Sequence, residues 1–353
     1  MTRLQLFLTK KWASLKHRNL RREDTWFYSH FVTAANEIGD HLSRFVRLNQ
    51  SRVLDFGCGD GFTALGVIRF NTKEIVGVDL NLAYSYLPEI SRRYLGMDTL
   101  PNNLSFQQVA EGESLLFENG SFDAIYAWSV LEHVQDIDGV MSELHRVLAP
   151  EGVLFIQIEP LYHSPFGSHL LRLIPEPWAH LMMAEDAFLD RAWKAPDQIR
   201  EEEQDLAYQK NTFIDFKKFL ISEYQSLNRI TAGELEVAAR NSGFNVIAQE
   251  KHQSHPCRPP MELLERYPAE DLLTNDVRLT LRKPGEAELE THRRSEASLQ
   301  PRSQHGRTST RFIQLPSSTS RGDLGSRRVD GIYHVLYARG HYQYRLQLTR
   351  ETS

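Results

Sequence analysis

The run Arg52-Val53-Leu54-Asp55-Phe56-Gly57-Cys58-Gly59-Asp60-Gly61 places a short apolar stretch directly ahead of three alternating glycines. Ala64, Leu65, Val67 and Ile68 then recur at helical spacing. An apolar run that stops at glycines and resumes with a period near 3.6 reads as strand, tight turn, helix. Glycine lets the backbone bend sharply and approach a ligand. The first turn of the helix aims unpaired N–H groups into the same space, where an anionic group is stabilised. The spacing excludes two better-known loops. A dinucleotide fingerprint needs G-x-G-x-x-G/A; here Gly61 comes one place early, and Phe62 stands where a small residue is required. A phosphate loop needs Gly-Lys-Ser/Thr, which does not follow.

Outward from this loop the two periods alternate. Strands are expected at 74–78, 104–109, 122–127 and 153–158, with helices at 82–94 and 137–148. Strands alternating with helices make a parallel sheet covered on both faces. Right-handed crossovers bring the strand C-terminal ends to one edge, where ligands of such sheets bind. Two further strands, 244–248 and 277–281, follow a long non-strand stretch. The expected fold is therefore α/β: a Rossmann-like, doubly wound, mostly parallel seven-stranded sheet with helices on both faces, N-terminal helices and a helical insertion. The expected division is an N-terminal helical segment (1–50), a core (51–160), a helical insertion or lid (161–230), the C-terminal part of the core sheet (231–284), a disordered linker (285–330) and a hairpin tail (331–353). The linker reading rests on its Ser, Arg, Gln, Thr and Gly content with few large apolar residues.

Composition narrows the function. The chain has 353 residues, is 41% hydrophobic and carries a net charge of -5. No excess of basic residues marks a dedicated nucleic-acid binder, and no nucleic-acid partner is expected. The two cysteines, Cys58 and Cys257, fit a reducing, cytoplasmic setting rather than a disulfide scaffold. No run reaches the roughly 18 apolar residues that span a bilayer. The N-terminus mixes Leu4, Leu6, Phe7 and Leu8 with Arg3, Lys10, Lys11 and Lys16. It reads as a helix packed on the main domain, with peripheral membrane contact as the alternative. His163 and His169, six apart, are too weak a pattern for a metal site, and no metal is expected.

Asp79 ends the second expected strand, where a carboxylate can accept hydrogen bonds from ribose hydroxyls; Leu80 beside it offers an apolar surface to a purine. From Val53 to Gln157 the chain resembles the class I S-adenosylmethionine (SAM)-dependent methyltransferases, in the ubiquinone/menaquinone or type 11 group. The resemblance is carried by the glycine loop, Gly77-Val78-Asp79, Glu113-Ser114-Leu115-Leu116-Phe117 with Ser121-Phe122-Asp123, Val130-Leu131-Glu132-His133-Val134, and Glu143-Leu144-His145-Arg146-Val147-Leu148-Ala149-Pro150-Glu151-Gly152, in order. It implies S-adenosyl-L-methionine as cofactor. Gly57, Gly59 and Gly61 would line its methionine part, and Cys58 would be their small neighbour in the turn. Asp55 would support the loop and the cofactor's amino group, and Asp79 would hold the ribose. Glu111 stands where the family usually has an Asp for the adenine amino group, flanked by Gly112. Trp128 would lie near the sulfonium. The family usually has Pro at Leu116 and Gly at Glu151.

Methyl transfer is an in-line displacement in which alignment supplies much of the rate. A base is needed only when the nucleophile is protonated. The candidates are His133, Glu159 and His163, with Tyr162 and His169. The apolar insertion (Leu170, Leu171, Leu173, Ile174, Trp178, Met182) points to a small-molecule or lipid-like acceptor. The alternatives are a non-catalytic SAM-binding regulatory module and, more remotely, a nucleotide-cofactor oxidoreductase. Oligomeric state has no signature in the sequence.

Overall fold

Strand β1 (Arg52–Phe56) lies at the centre of a seven-stranded sheet of order β3-β2-β1-β4-β5-β7-β6. The other strands are β2 (Glu74–Asp79), β3 (Leu104–Gln108), β4 (Phe122–Trp128), β5 (Leu148–Ile158), β6 (Asn245–Gln253) and β7 (Thr274–Arg282). The first five pair in parallel; β7 runs antiparallel to both β5 and β6. The chain moves outward from β1 through β2 to β3, then returns to β4 on the other side. The loop after β1 therefore sits at the switch point, where neighbouring crossovers diverge and leave a crevice. These features come from a computed structural model that describes residues 25–81, 83–196, 213–253, 258–285 and 287. The expectations for the first 24 residues, including their membrane contact, lie outside the described residues. So do those for nearly all of the 285–330 linker and for the 331–353 hairpin.

Two apolar layers hold the sheet. Because side chains alternate along a strand, Val53, Ile75, Ala124, Tyr126, Trp128 and Phe155 share one face. That face is covered by α1, a continuous helical run over 25–42, by α2 (Phe62–Val67) and by α3 (Leu87–Leu95). Leu54, Val76, Ile125, Leu154 and Ile156 face the other way, toward α4 (Ile137–Val147) and, after the insertion, α8 (Ala232–Asn241). Strands buried on both faces read as near-continuous apolar runs, so β1 and β4 stand out in the sequence. Thr231 opens α8 with a reciprocal capping box to Glu234. The aromatic group at the start of α1 is core: Phe27 stacks on Phe31 at 4.9 Å and on Tyr94 at 4.8 Å.

The insertion has a third apolar layer of its own. It contains α5 (Ala179–Met182), α6 (Glu185–Lys194) and α7 (Phe213–Ser226). Tyr162, Leu170, Trp178, Phe188 and Tyr224 pack there. Leu263 of α9 (Met261–Leu264) and Leu272 of α10 (Ala269–Leu273) join them from the connection between β6 and β7. Asn228 fastens this layer to the core: its amide donates to the carbonyls of Leu131 (2.5 Å) and Val134 (2.7 Å), just past β4.

Three motif positions acquire structural reasons. Glu143 and Arg146 on α4 pair at 2.7 Å, and Arg146 donates to the carbonyls of Leu115 and Phe117 while Glu143 accepts from Leu115 N–H. This pair clamps the loop after β3. Its mutual hydrogen bond holds the Glu143 carboxyl below, and the Arg146 guanidinium above, their ordinary ranges. Glu151, where the family resemblance implies glycine, adopts φ 62°. A left-handed backbone strains a residue with a Cβ by roughly 1–2 kcal/mol, partly offset because glycine gives the unfolded chain about 0.4–1 kcal/mol more entropy. Glu151→Gly is expected to raise stability by roughly 0.5–1 kcal/mol, read as a higher urea midpoint with unchanged slope.

Candidate active site

The glycine loop is built by β2 as much as by β1. Val78 carbonyl accepts from the N–H groups of Gly57 (2.8 Å) and Cys58 (3.0 Å), so the chain is held as it leaves β1. Gly59 has φ 54°, and a Cβ added there meets nothing within 4 Å, so open space lies against the backbone at the tip of the bend. Gly61, φ 79°, is the N-cap of α2. Cys58 is buried under the bend.

Asp79, at the end of β2, is 7% exposed and faces this loop. One carboxylate oxygen accepts from Gly59 N–H at 2.8 Å and the other from Asn81 N–H at 2.9 Å. A carboxylate offers about four acceptor positions, so two bonds leave capacity for hydroxyl donors. Leu80, next along, is 48% exposed. The Tyr84 ring stacks on Phe106 at 5.0 Å. Burial, then the neighbouring Cys58 and Asp79, push its phenol above the usual range. Tyr84 thus belongs to the loop's surroundings, although no sequence signal marked it. Glu111 and Gly112 are exposed beyond β3, on the edge where Val109 N–H bonds Asp79 carbonyl at 3.0 Å. Asp55 is fully buried in β1, on the α1 face of the sheet with Val53. Trp128 closes β4, buried on that same face with its ring 6.2 Å from Phe155.

The rim continues through β4 and β5. Val130 fills the space over Gly57. Ser129 N–H bonds Gln157 carbonyl at 2.8 Å, and Ser129 hydroxyl bonds Gln157 Oε1 at 2.9 Å. Glu159, just past β5, is partly exposed and accepts from Asn275 Nδ2 at 3.0 Å.

The histidines are placed differently. His133 Nδ1 lies 3.2 Å from Ser226 Oγ and 3.6 Å from Glu223, both on α7, and its ring meets that of His169 edge-on at 5.4 Å. His169 Nε2 lies 3.2 Å from Pro160 carbonyl, and burial pushes its pKa down to about 4. His163 faces the rings of Tyr162 and Tyr267 at 5.4 and 5.1 Å, and burial lowers its pKa as well. His180, which carried no sequence signal, bonds Tyr162 carbonyl at 2.7 Å and is also held to about 4 by burial. Tyr162 is buried in the insertion core, 6.5 Å from Tyr224 between ring centres. Among the described residues no group of three or more His, Cys, Asp or Glu is arranged to hold a metal ion.

A family model described as a methyltransferase domain matches residues 28–249. The chain belongs to this methyltransferase domain family. The methyltransferase domain is 37% identical over 102 residues to sterol 24-C-methyltransferase erg6 of Aspergillus fumigatus, covering 29% of this chain and 26% of that protein. It is 33% identical over 132 residues to the sterol 24-C-methyltransferase of Debaryomyces hansenii, covering 37% and 32%. The matched region thus spans about a third or less of these curated relatives. Among solved structures, the [4+2]-cyclase SpnF is 21% identical, with 72% of this chain and 82% of that one covered at a TM-score of 0.43. Geranyl diphosphate methyltransferase in complex with SAM is 16% identical, with 71% and 84% covered at 0.43.

The buried histidines make a testable point. In the unfolded chain a histidine takes up its proton near pH 6.5, whereas His169 and His180 stay neutral in the fold until about 4. The unfolded state therefore binds more protons between those values. Stability is fully present above about pH 6.5 and falls as the pH drops toward 4. Two-dimensional NMR of the imidazole nitrogens should show both rings neutral at pH 5.5; a midpoint near 6.5 for either would contradict the placement.

Proposed function

We propose that this protein is a SAM-dependent methyltransferase acting on a small, apolar, lipid-like acceptor. The observation that carries the reading is the bond between Gly59 N–H and Asp79. It joins the glycine bend and the strand-end carboxylate around one space at the switch point, which is what a ligand with an amino-acid end and a ribose needs. The residues present fit SAM. Open space at Gly59 admits the methionine part, Asp79 retains acceptor capacity for ribose hydroxyls, and exposed Leu80 suits an adenine face. Bound SAM supplies an activated methyl group on a sulfonium.

This chain's own residues then do three things. The open face of the bend at Gly59 and the remaining acceptor positions of Asp79 fix the ligand's position, and such alignment supplies much of the rate of a displacement. The insertion, fastened by Asn228 beside the end of β4, excludes water from the neighbouring rim. The groups past β4 and β5 orient the acceptor. A lipid-like acceptor is supported by the apolar core of the insertion and by the sterol methyltransferases among the relatives. The intact glycine bend and Asp79 disfavour a non-catalytic module, and Phe62, standing where a dinucleotide loop requires a small residue, disfavours an oxidoreductase. A cytoplasmic setting belongs to the same proposal; no described helix is long and apolar enough to cross a membrane.

Isothermal titration with SAM and incubation of labelled SAM with a total lipid extract test the reading. Binding and transfer of label into an organic-soluble product are expected. Binding without any transfer would favour the regulatory-module alternative, and absence of binding would defeat both. Asp79→Ala is expected to weaken SAM affinity by about 1.5–3 kcal/mol, the scale of charge-assisted hydrogen bonds. Gly59→Val should abolish binding by filling the open space and straining the φ 54° backbone.

A further inference from the structure

Past the end of β5 the chain builds a device that neither the motifs nor the relatives assign. Glu159 sits at the rim one hydrogen-bonded step beyond Gln157, which itself is tied to Ser129 next to the residue covering Gly57. Its Oε1 accepts from Asn275 Nδ2 at 3.0 Å. The Asn275 amide is oriented in turn: its Oδ1 accepts from Ser164 Oγ at 3.2 Å, and its backbone carbonyl accepts from Leu161 N–H at 2.9 Å. Ser164 is fully buried and Asn275 is 7% exposed, so neither amide nor hydroxyl is free to swing into water. Alongside, Gln157 Nε2 reaches both Asp276 (3.1 Å) and Glu159 (3.5 Å), spanning the two carboxylates.

We propose that Glu159 is the catalytic proton acceptor of the transfer reaction and that Asn275, aimed by Ser164, is its positioning residue. The proposal rests on the methyltransferase reading above and selects among its candidates. His133 is engaged with α7, and burial lowers the proton affinity of His163 and of His169, whose Nε2 also lies against a carbonyl. Glu159 combines partial exposure, a fixed orientation and a contact path to the glycine loop. The acceptor class follows: a molecule carrying hydrogen on the atom that is methylated, such as a hydroxyl, an amine or a carbon that sheds a proton. As the acceptor forms its bond to the methyl carbon, the methyl–sulfur bond breaks and its electron pair stays on sulfur. The hydrogen leaves the acceptor as a proton to a Glu159 oxygen and passes on to water. The positive charge that arrived with the sulfonium leaves as that proton. Asp276, buried beside the pair, is itself raised above the usual carboxylate range, by burial first and with Glu159 among the contributors. The other charges facing it are Arg278 on its own strand, which also meets Glu37 of α1, and His252 of β6.

The test uses the full chain saturated with S-adenosylhomocysteine and labelled with carboxyl-¹³C glutamate, Glu159 being identified by its loss in Glu159→Gln. Asn275→Asp keeps an oxygen for Ser164 but replaces the donor to Glu159 with a like charge. It is expected to raise the proton affinity of Glu159 about tenfold and to shift the acid limb of labelled methyl incorporation, from SAM into a lipid extract, upward by the same amount. Asn275→Ala should lower incorporation without changing SAM affinity. Glu159→Gln should lower it about 10²–10⁴-fold, the range of general-base catalysis. An unmoved Glu159 titration in Asn275→Asp overturns the positioning role. Undiminished incorporation by Glu159→Gln overturns the proton-acceptor role. A wild-type chain that neither binds SAM nor incorporates label would instead defeat the methyltransferase reading and this proposal with it.

Discussion

The carboxylate of Asp79 joins the ends of two neighbouring strands, accepting Gly59 N–H from the loop after β1 and Asn81 N–H along its own chain. A backbone bend of alternate left-handed glycines has little to hold it by itself, since glycine surrenders more conformational freedom on ordering than any other residue. Here the acid that would meet a ribose also sets the bend that would meet the amino-acid end of the same ligand. The two Val78 carbonyl bonds complete the frame. The central position of β1, with β2 on one side and β4 on the other, keeps this frame open toward the rim rather than against a helix.

The fold could be read from the sequence because its strands are buried on both faces. The continuous apolar runs around Val53, Val76, Ile125 and Leu154, set against the helical period between them, are then hard to miss, and all seven expected strands are present in the sheet. Boundaries shifted where local chemistry outweighed pattern. The helix expected over 82–94 has its α-helical part at Leu87–Leu95, ending at left-handed Gly96. β5 begins at Leu148, five residues before its expected start, because the Pro150-Glu151-Gly152 bend lies within the strand. The α9 and α10 turns escaped notice, being too short to show a period.

The candidate site was legible where motif and geometry coincide, at Gly57, Gly59, Gly61 and Asp79. It was not legible where function depends on side chains that meet only in three dimensions. Gln157, Asn275, Asp276 and Ser164 come from β5, β7 and the insertion, and the sequence does not show that they meet. Tyr84 is similar, since only folding sets it against Cys58 and Asp79. The histidines show the opposite difficulty. His133, His163 and His169 draw the eye as potential bases, yet burial lowers the proton affinity of His169 and His163 and so weakens both as proton acceptors. Residue type alone carries no information about solvation, and solvation decides the proton affinity of an imidazole.

The third apolar layer draws Leu263 and Leu272 from beyond β6 into a helical segment that begins a hundred residues earlier. A ribosome delivers the insertion long before it delivers those two leucines. Until then Trp178, Phe188 and Tyr224 lack part of their packing, and the segment cannot complete its core as an autonomous cassette. Swapping the insertion between relatives to exchange acceptor preference would therefore have to carry the β6–β7 connection along with it.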